Sequence, residues 1–202
     1  MFFIITIWPL DVIPIQNFHI RPLKTADQAE LVTLYKLVVK QGGYGGLSIA
    51  NSPNDITGAW VKDFCQSACT DGLGLVLETT DVNQHKIVAE THAVREKPAF
   101  MHHILNNLII VVSPAFQGQG IGKTLLTSLQ KQIIKERPDI LRLELSVFAS
   151  HQAALRLYKS CGFVVEGQFK QKFFLSTGYF ENEVSLVWFN PGYQQHPTTK
   201  GK

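Results

Sequence analysis

Apolar and polar positions follow two periods along this chain, and the changes of period mark its elements. Phe18-His19-Ile20-Arg21-Pro22 predicts a first core strand, after which Ala29, Leu31, Leu34, Leu37 and Val38 recur at helical spacing behind Thr25 or Asp27, either of which can cap the helix. Residues 41–46, Gln-Gly-Gly-Tyr-Gly-Gly, predict a loop, and a second helical stretch runs from about Asn54 to Phe64. Strands are expected near Leu73–Thr79, Lys86–Arg95 and Leu105–Val112. Helical spacing resumes after Gly120. Leu141 to Phe148 then alternate with period two, His151 to Ser160 read as a short capped helix ending before Gly162, and Val164–Phe174 with Glu183–Phe189 read as a closing hairpin around Gly178. Strands interleaved with helices predict an α/β class, with a mixed central sheet of about six to seven strands flanked by about four helices.

The densest chemistry lies where the apolar run Leu108-Ile109-Ile110-Val111-Val112 gives way to Gln117-Gly118-Gln119-Gly120-Ile121-Gly122-Lys123-Thr124 and then to a helix. Glycines at 118, 120 and 122 remove β-carbons at a helix N-terminus, so several N–H groups can converge on an anion with the helix dipole behind them. Two familiar phosphate loops fail at a required residue. A P-loop ending in Gly122-Lys123-Thr124 needs Gly at 117, where Gln stands, and a dinucleotide fingerprint beginning Gly118-x-Gly120 meets Lys123 in its third glycine slot.

The spacing Gln-x-x-Gly-x-Gly/Ala, met by Gln117, Gly120 and Gly122, resembles instead the acyl-CoA pyrophosphate loop of the GCN5-related N-acetyltransferases (GNAT). A second motif about 25 residues downstream agrees in order and distance: Ala154, Leu157, Tyr158, Gly162 and Phe163 match the family's Ala-x-x-Leu-Tyr-x-x-x-Gly-Phe signature. His151 stands where many relatives carry Asn. The resemblance runs over roughly Ile20 to Phe189 and is closest in motif to bacterial amino-acid and small-amine acetyltransferases. These share a Leu-Glu-Leu-x-Val strand (Leu143 to Val147), a Gly-Phe-x-x-Glu-Gly turn (Gly162 to Gly167) and a Gly-Tyr-x-x-Glu/Asp hairpin (from Gly178).

The resemblance implies acetyl transfer from acetyl-CoA to the primary amine of a small molecule, an amino acid, polyamine or related amine, by direct attack and without an acyl-enzyme. It implies that the backbone of Ile110, Val111 and Val112 meets the pantetheine and thioester. Amides of Gln117, Gly118, Gln119, Gly120, Ile121, Gly122 and Lys123 would hold the pyrophosphate, with Thr124 and His151 also on the cofactor side. Tyr158 carries over as the acid that protonates the departing thiolate. The base is open among Glu144, His102, His103 and water. Glu144 shares a strand face with Ser146, where several relatives place a catalytic Glu, and the two histidines at the entrance of the preceding strand carry imidazole, the side chain most often used as a base. Two other functions share these motifs, a protein or peptide N-terminal acetyltransferase and a catalytically silent CoA-binding module. The loops 41–53 and 170–182 decide between a polypeptide groove and a closed pocket, and Tyr44, Trp60, Phe173, Phe174, Tyr179 and Phe180 near them favour an apolar-walled pocket.

Charge and composition narrow the setting. A net charge of +3 spread along 202 residues, with no basic stripe, points away from nucleic acid as a partner. Cys65, Cys69 and Cys161 form no Cys-x-x-Cys pair and have no matching His pair, so no metal is expected and a reduced, cytoplasmic setting is. Three divisions are expected: an apolar extension over 1–17, one acetyltransferase domain over 18–190, and a flexible tail over 191–202. Pro9, Asp11 and Pro14 break the extension well short of a membrane span, and it lacks a basic start and a cleavage site. It reads as an extra strand or an arm covering an apolar patch, and a homodimer is compatible with the latter.

Overall fold

The computed structural model describes residues 18–42, 50, 52–79, 86–175 and 178–194; the apolar extension 1–17, most of the glycine loop with Tyr44, and the tail beyond 194 lie outside the described residues. Seven strands form one sheet: β1 (Phe18–Pro22), β2 (Leu73–Thr79), β3 (Ile87–Arg95), β4 (Ile104–Val112), β5 (Arg142–Phe148), β6 (Val164–Phe174) and β7 (Phe180–Phe189). Their order is β1-β2-β3-β4-β5-β7-β6, and every neighbouring pair is antiparallel except β4 and β5. Among the described residues four α-helices accompany them: α1 (Gln28–Gln41), α2 (Gly58–Thr70), α3 (Ile121–Glu136) and α4 (Gln152–Ser160). This is the mixed α/β arrangement expected from the periodicity.

Each face of the sheet carries its own core. Leu125, Leu126, Leu129 and Ile133 of α3 form a helical stripe that packs with Ala89, Ala93, Leu105, Leu143 and Leu145. On the opposite face Leu31, Leu34, Tyr35 and Val38 of α1 pack with Val61, Cys65 and Ala68 of α2 over Val76, Ile87 and Val111. Leu37, placed by periodicity on the buried stripe of α1, is 40% exposed, and Val39 takes the inward position.

Helix starts follow from where side-chain oxygens are committed. Asp27 precedes α1 without capping it, because its carboxylate accepts from Arg21 at 2.8 and 2.9 Å and from the Lys24 amide at 2.9 Å. The second helix begins later than Asn54: residues 53–55 make a 3-10 turn, and the Thr57 hydroxyl caps α2 by accepting from the Trp60 amide at 3.2 Å. At the far end the chain stays attached past β7, since Gln194 N–H donates to Pro138 O at 2.8 Å and Gly192 N–H to Asn190 Oδ1 at 2.9 Å.

The irregularity that matters for function is between β4 and β5. These strands pair only at Ile104↔Arg142 and Leu105↔Leu143. Beyond that, Asn107 turns to a positive φ of 55° and the β3–β4 register slips between His92 and Val94, a bulge that bends β4 away while β5 stays paired to β7 along its whole length. The sheet therefore opens into a fork. Backbone groups of β4 that would face β5 past residue 105 have no strand partner there.

Candidate active site

Two cavities meet in this fork. One, of about 640 Å³, lies between the end of β4, the N-terminus of α3 and α4; the other, of about 580 Å³, lies between β4, α2 and the β6–β7 hairpin. Leu108, Ile109 and Ser146 line both.

The first cavity gathers the glycine loop. Gly118 and Gly120 adopt φ of 76° and 80°, the left-handed region that a side chain strains, and a Cβ at either would meet no atom within 4 Å. Glycine here serves the backbone turn and leaves open space above it. Gly120 is the N-cap residue of α3, and the first amide to bond back along the helix is that of Thr124, to Gly120 O at 3.0 Å. The amides of Ile121, Gly122 and Lys123 come before the first helical donor, that of Thr124, so they point out of the helix end. The Gln117 side chain ties the loop down, donating to Val112 O at 2.9 Å and to Gln41 Oε1 at 3.2 Å. Lys123 is the cavity's charged residue, and no carboxylate lines it among the described residues. Amide donors, a helix dipole and an ammonium together fit a pyrophosphate.

Other expected cofactor-side residues divide. Ile110, Val111 and Val112 line this cavity, as does His151. His151 also caps α4, its Nδ1 accepting from the Ala154 amide at 3.0 Å, and burial pushes its pKa down, which keeps the ring neutral and able to accept. Gln119 and Thr124 lie outside the lining: the Gln119 amide donates to Ala115 O at 3.2 Å and the Thr124 hydroxyl to Gly120 O at 3.2 Å. Tyr158 faces the cavity from α4, is 8% exposed, and packs its ring against Phe163. Burial, with a smaller push from Cys161, raises its phenol to about 12.

Glu144 stands elsewhere. It lines neither cavity, and Arg142, which also holds Glu166, donates to it at 2.5 Å. On its strand face Ser146, not Glu144, reaches the fork. His102 and His103 sit at the other end of β4, where His102 Nε2 contacts Lys97 O at 3.0 Å and His103 O accepts the amides of Leu141 and Arg142. Neither lines a cavity.

The second cavity holds Asp63, His92 and Glu183, which the sequence does not single out. Trp60, Asp63, Phe64 and Ser67 present one helical face of α2, and His92, Asn107, Phe173 and Glu183 close the remaining sides. No Lys or Arg lines it among the described residues, so its polarity is opposite to that of the first cavity. Of the aromatics expected near the pocket, Trp60 and Phe173 are in its wall, whereas Phe174, Tyr179 and Phe180 are more than half exposed. One signal could have pointed here: Ala-Glu-Thr-His-Ala inside an apolar strand buries a carboxylate and an imidazole, which persists only if both are satisfied.

Comparison with known proteins agrees with this geometry. Residues 74–165 match the model of the acetyltransferase (GNAT) domain. Spermidine N(1)-acetyltransferase of Escherichia coli (strain K12) is 28% identical over 93 residues, 46% of this chain and 49% of that protein, so the chain spans about half the length of the curated relatives it matches. Among solved structures, an acetyltransferase of the GNAT family from Streptococcus pneumoniae superposes with a TM-score of 0.72 at 24% identity, covering 85% of this chain and 99% of that one. A GNAT superfamily phosphinothricin acetyltransferase from Sinorhizobium meliloti, in complex with AcCoA, superposes with a TM-score of 0.72 at 17% identity over 91% and 95% of the two chains. At these identities the structural likeness speaks to the fold alone. The family match itself begins in β2 and runs through the fork, the glycine loop and α4 into β6, so the segment that builds the first cavity is similar to the GNAT acetyltransferase domain.

Proposed function

We propose that the protein transfers an acetyl group from acetyl-CoA to the primary amine of a small molecule by direct attack at the fork. The observation that carries this reading is the meeting of two cavities of opposite polarity at Leu108, Ile109 and Ser146. A polyanionic donor belongs with the amides and Lys123 on one side; an amine, cationic in water, belongs with Asp63 and Glu183 on the other. When bound, acetyl-CoA supplies an activated acyl carbon with a thiolate leaving group.

The chain's own residues do the rest. Amides of residues 121–123 and Lys123 hold the pyrophosphate. Strand-free backbone groups of Ile110 to Val112 orient the pantetheine. Tyr158, whose proton is retained up to about pH 12, donates it to the departing sulfur. Trp60 and Phe173 exclude water from the acceptor side, and Asp63 and Glu183 favour amines carrying further positive charge, such as polyamines.

A screen of acetyl-CoA with amino acids, polyamines, aminoglycosides and short peptides, read by thiol release, tests the reading. Turnover with at least one small primary amine is expected, with polyamines ahead of neutral amino acids. Preference for peptides would instead make the acceptor a polypeptide N-terminus, and clear CoA binding with no thiol release for any acceptor would leave a silent binding module.

A further inference from the structure

Residues 87–93 of β3 are buried on both faces of the sheet, yet Glu90 and His92 stand there two positions apart on the face covered by α1 and α2. A carboxylate taken wholly out of water costs several kcal/mol unless its oxygens are satisfied. Both oxygens of Glu90 are taken: the Tyr35 hydroxyl donates to Oε2 at 2.7 Å, and His92 Nδ1 donates to Oε1 at 2.9 Å. An ionised carboxylate only accepts, so it assigns the proton to Nδ1 and leaves the lone pair on Nε2. Phe64 fixes the plane of the ring by stacking on it, centroids 4.3 Å apart and planes within 2°.

Nε2 has no hydrogen-bond partner among the described residues, and the ring lines the acidic cavity. The nitrogen is open to the cavity rather than sealed in the core, so it is available to a group that enters there. His92 also sits opposite Ile109 in the β3–β4 ladder, and Ile109 lines both cavities where they meet. The open nitrogen thus faces the acceptor side, beside the junction.

Resting on the acetyl-transfer reading above, we propose that His92 Nε2 is the general base of the reaction and that Glu90 and Tyr35 are the residues that position it. The reacting nitrogen first gives its ammonium proton to water; as the neutral amine then forms its bond to the acetyl carbon, Nε2 takes a second proton from it, the carbon–sulfur bond breaks and the sulfur leaves with the Tyr158 proton. Water returns the proton from His92 to Tyr158, so the net change is one proton moved from amine to thiol and one released to solvent from the ammonium. The charge on the imidazolium is matched by its surroundings. From its own strand Glu90 bonds it, Asp63 of α2 and Glu183 of β7 line the same cavity, and Tyr35 of α1 and Cys65 of α2 lie on the far side of Glu90. Burial holds Tyr35 well above its ordinary value and pushes Cys65 up to about 12, so both stay neutral and the charged groups are three carboxylates and the Lys172 ammonium of β6, which reaches Glu183 at 3.9 Å.

The test uses the full chain with acetyl-CoA and spermidine, or the best amine of the screen if spermidine is not turned over. Nitrogen-15 labelling of histidine in the wild-type protein is expected to show His92 as the Nδ1–H tautomer, with the Nε2 signal moving when spermidine is added. His92→Gln is expected to lower kcat by about 10²-fold or more and to remove the acid limb of the kcat/KM profile, with acetyl-CoA affinity essentially unchanged. Glu90→Gln is expected to keep the acid limb and move it to lower pH, a displacement that a merely structural carboxylate would not cause. Wild-type turnover with an intact acid limb in His92→Gln, or an Nε2–H tautomer in the wild type, overturns the proposal. If His92→Gln does not fold, the wild-type tautomer and the Glu90→Gln limb decide. If no amine is turned over, the acetyl-transfer reading fails by itself, while an Nε2 signal indifferent to spermidine and to the other amines is what removes the base.

Discussion

Tyr158 shows how burial chooses a protonation state. With its phenol raised to about 12, it is protonated at every pH at which the protein would work, so it can give a proton and contributes no limb to the rate profile below about pH 11. Tyr158→Phe keeps the ring against Phe163 and removes only the donor. Turnover is expected to fall by about 10²-fold with acetyl-CoA affinity barely moved, and the shape of the profile between pH 6 and 10 is expected to survive, in steady-state rates measured across pH. Near wild-type turnover would make Tyr158 a packing residue. At this scale the sequence was legible where a residue type is tied to a local motif: Tyr158 and Gly120 stand in runs that name their own surroundings. Glu144 and His92 are not legible in that way. Whether an acid on a strand reaches a cleft depends on its partners across the sheet, and Arg142 holds Glu144 away from the cavities while Glu90 turns His92 toward one.

Among elements, the join between β4 and α3 carries the clearest test. A side chain at Gly120 meets open space, so Gly120→Ala costs only the left-handed backbone, about 1–2 kcal/mol, whereas Gly120→Glu adds a carboxylate where the amides and Lys123 converge. Both variants are expected to fold, because the cores lie under α1, α2 and the body of α3. Acetyl-CoA is expected to raise the melting temperature of the wild type and of Gly120→Ala, and to leave that of Gly120→Glu unmoved. An equal ligand shift in Gly120→Glu would remove the phosphate cradle from this loop. Element identity was readable from period because each strand or helix carries its own apolar stripe, and the bounds of β1, β2 and β6 follow the sequence reading residue for residue. Helix starts were less readable. The cap of α2 is decided by which oxygen is free, Thr57 rather than a residue near Asn54, and the oxygen of Asp27 was already claimed by Arg21.

For the whole molecule the decisive feature, the fork, left no mark on any single segment. It arises because a parallel pair ends after two residues and a bulge at Asn107 redirects one strand, and both depend on contacts between residues far apart in the chain. The fork places a cavity with an ammonium and free amides against one whose described lining has carboxylates and no Lys or Arg, Lys172 reaching Glu183 from outside that lining at 3.9 Å, and this division predicts how acceptor charge is felt. Asp63→Asn and Glu183→Gln each remove one negative charge from the acceptor side alone. A partly hydrated pair at about 4 Å is worth on the order of 1 kcal/mol, so KM for a polyamine is expected to rise about five- to tenfold in each variant and further in the double variant, with kcat much less affected. Added salt is expected to raise the wild-type KM for the same polyamine and to change that of the double variant little, since screening acts on charges the variant has lost. Acetyl-CoA affinity is the internal control, because neither residue faces its cavity. If KM for every cationic acceptor stays at the wild-type value in both variants, the acceptor does not enter between α2 and β7, and the amine must approach the thioester from another side of the fork.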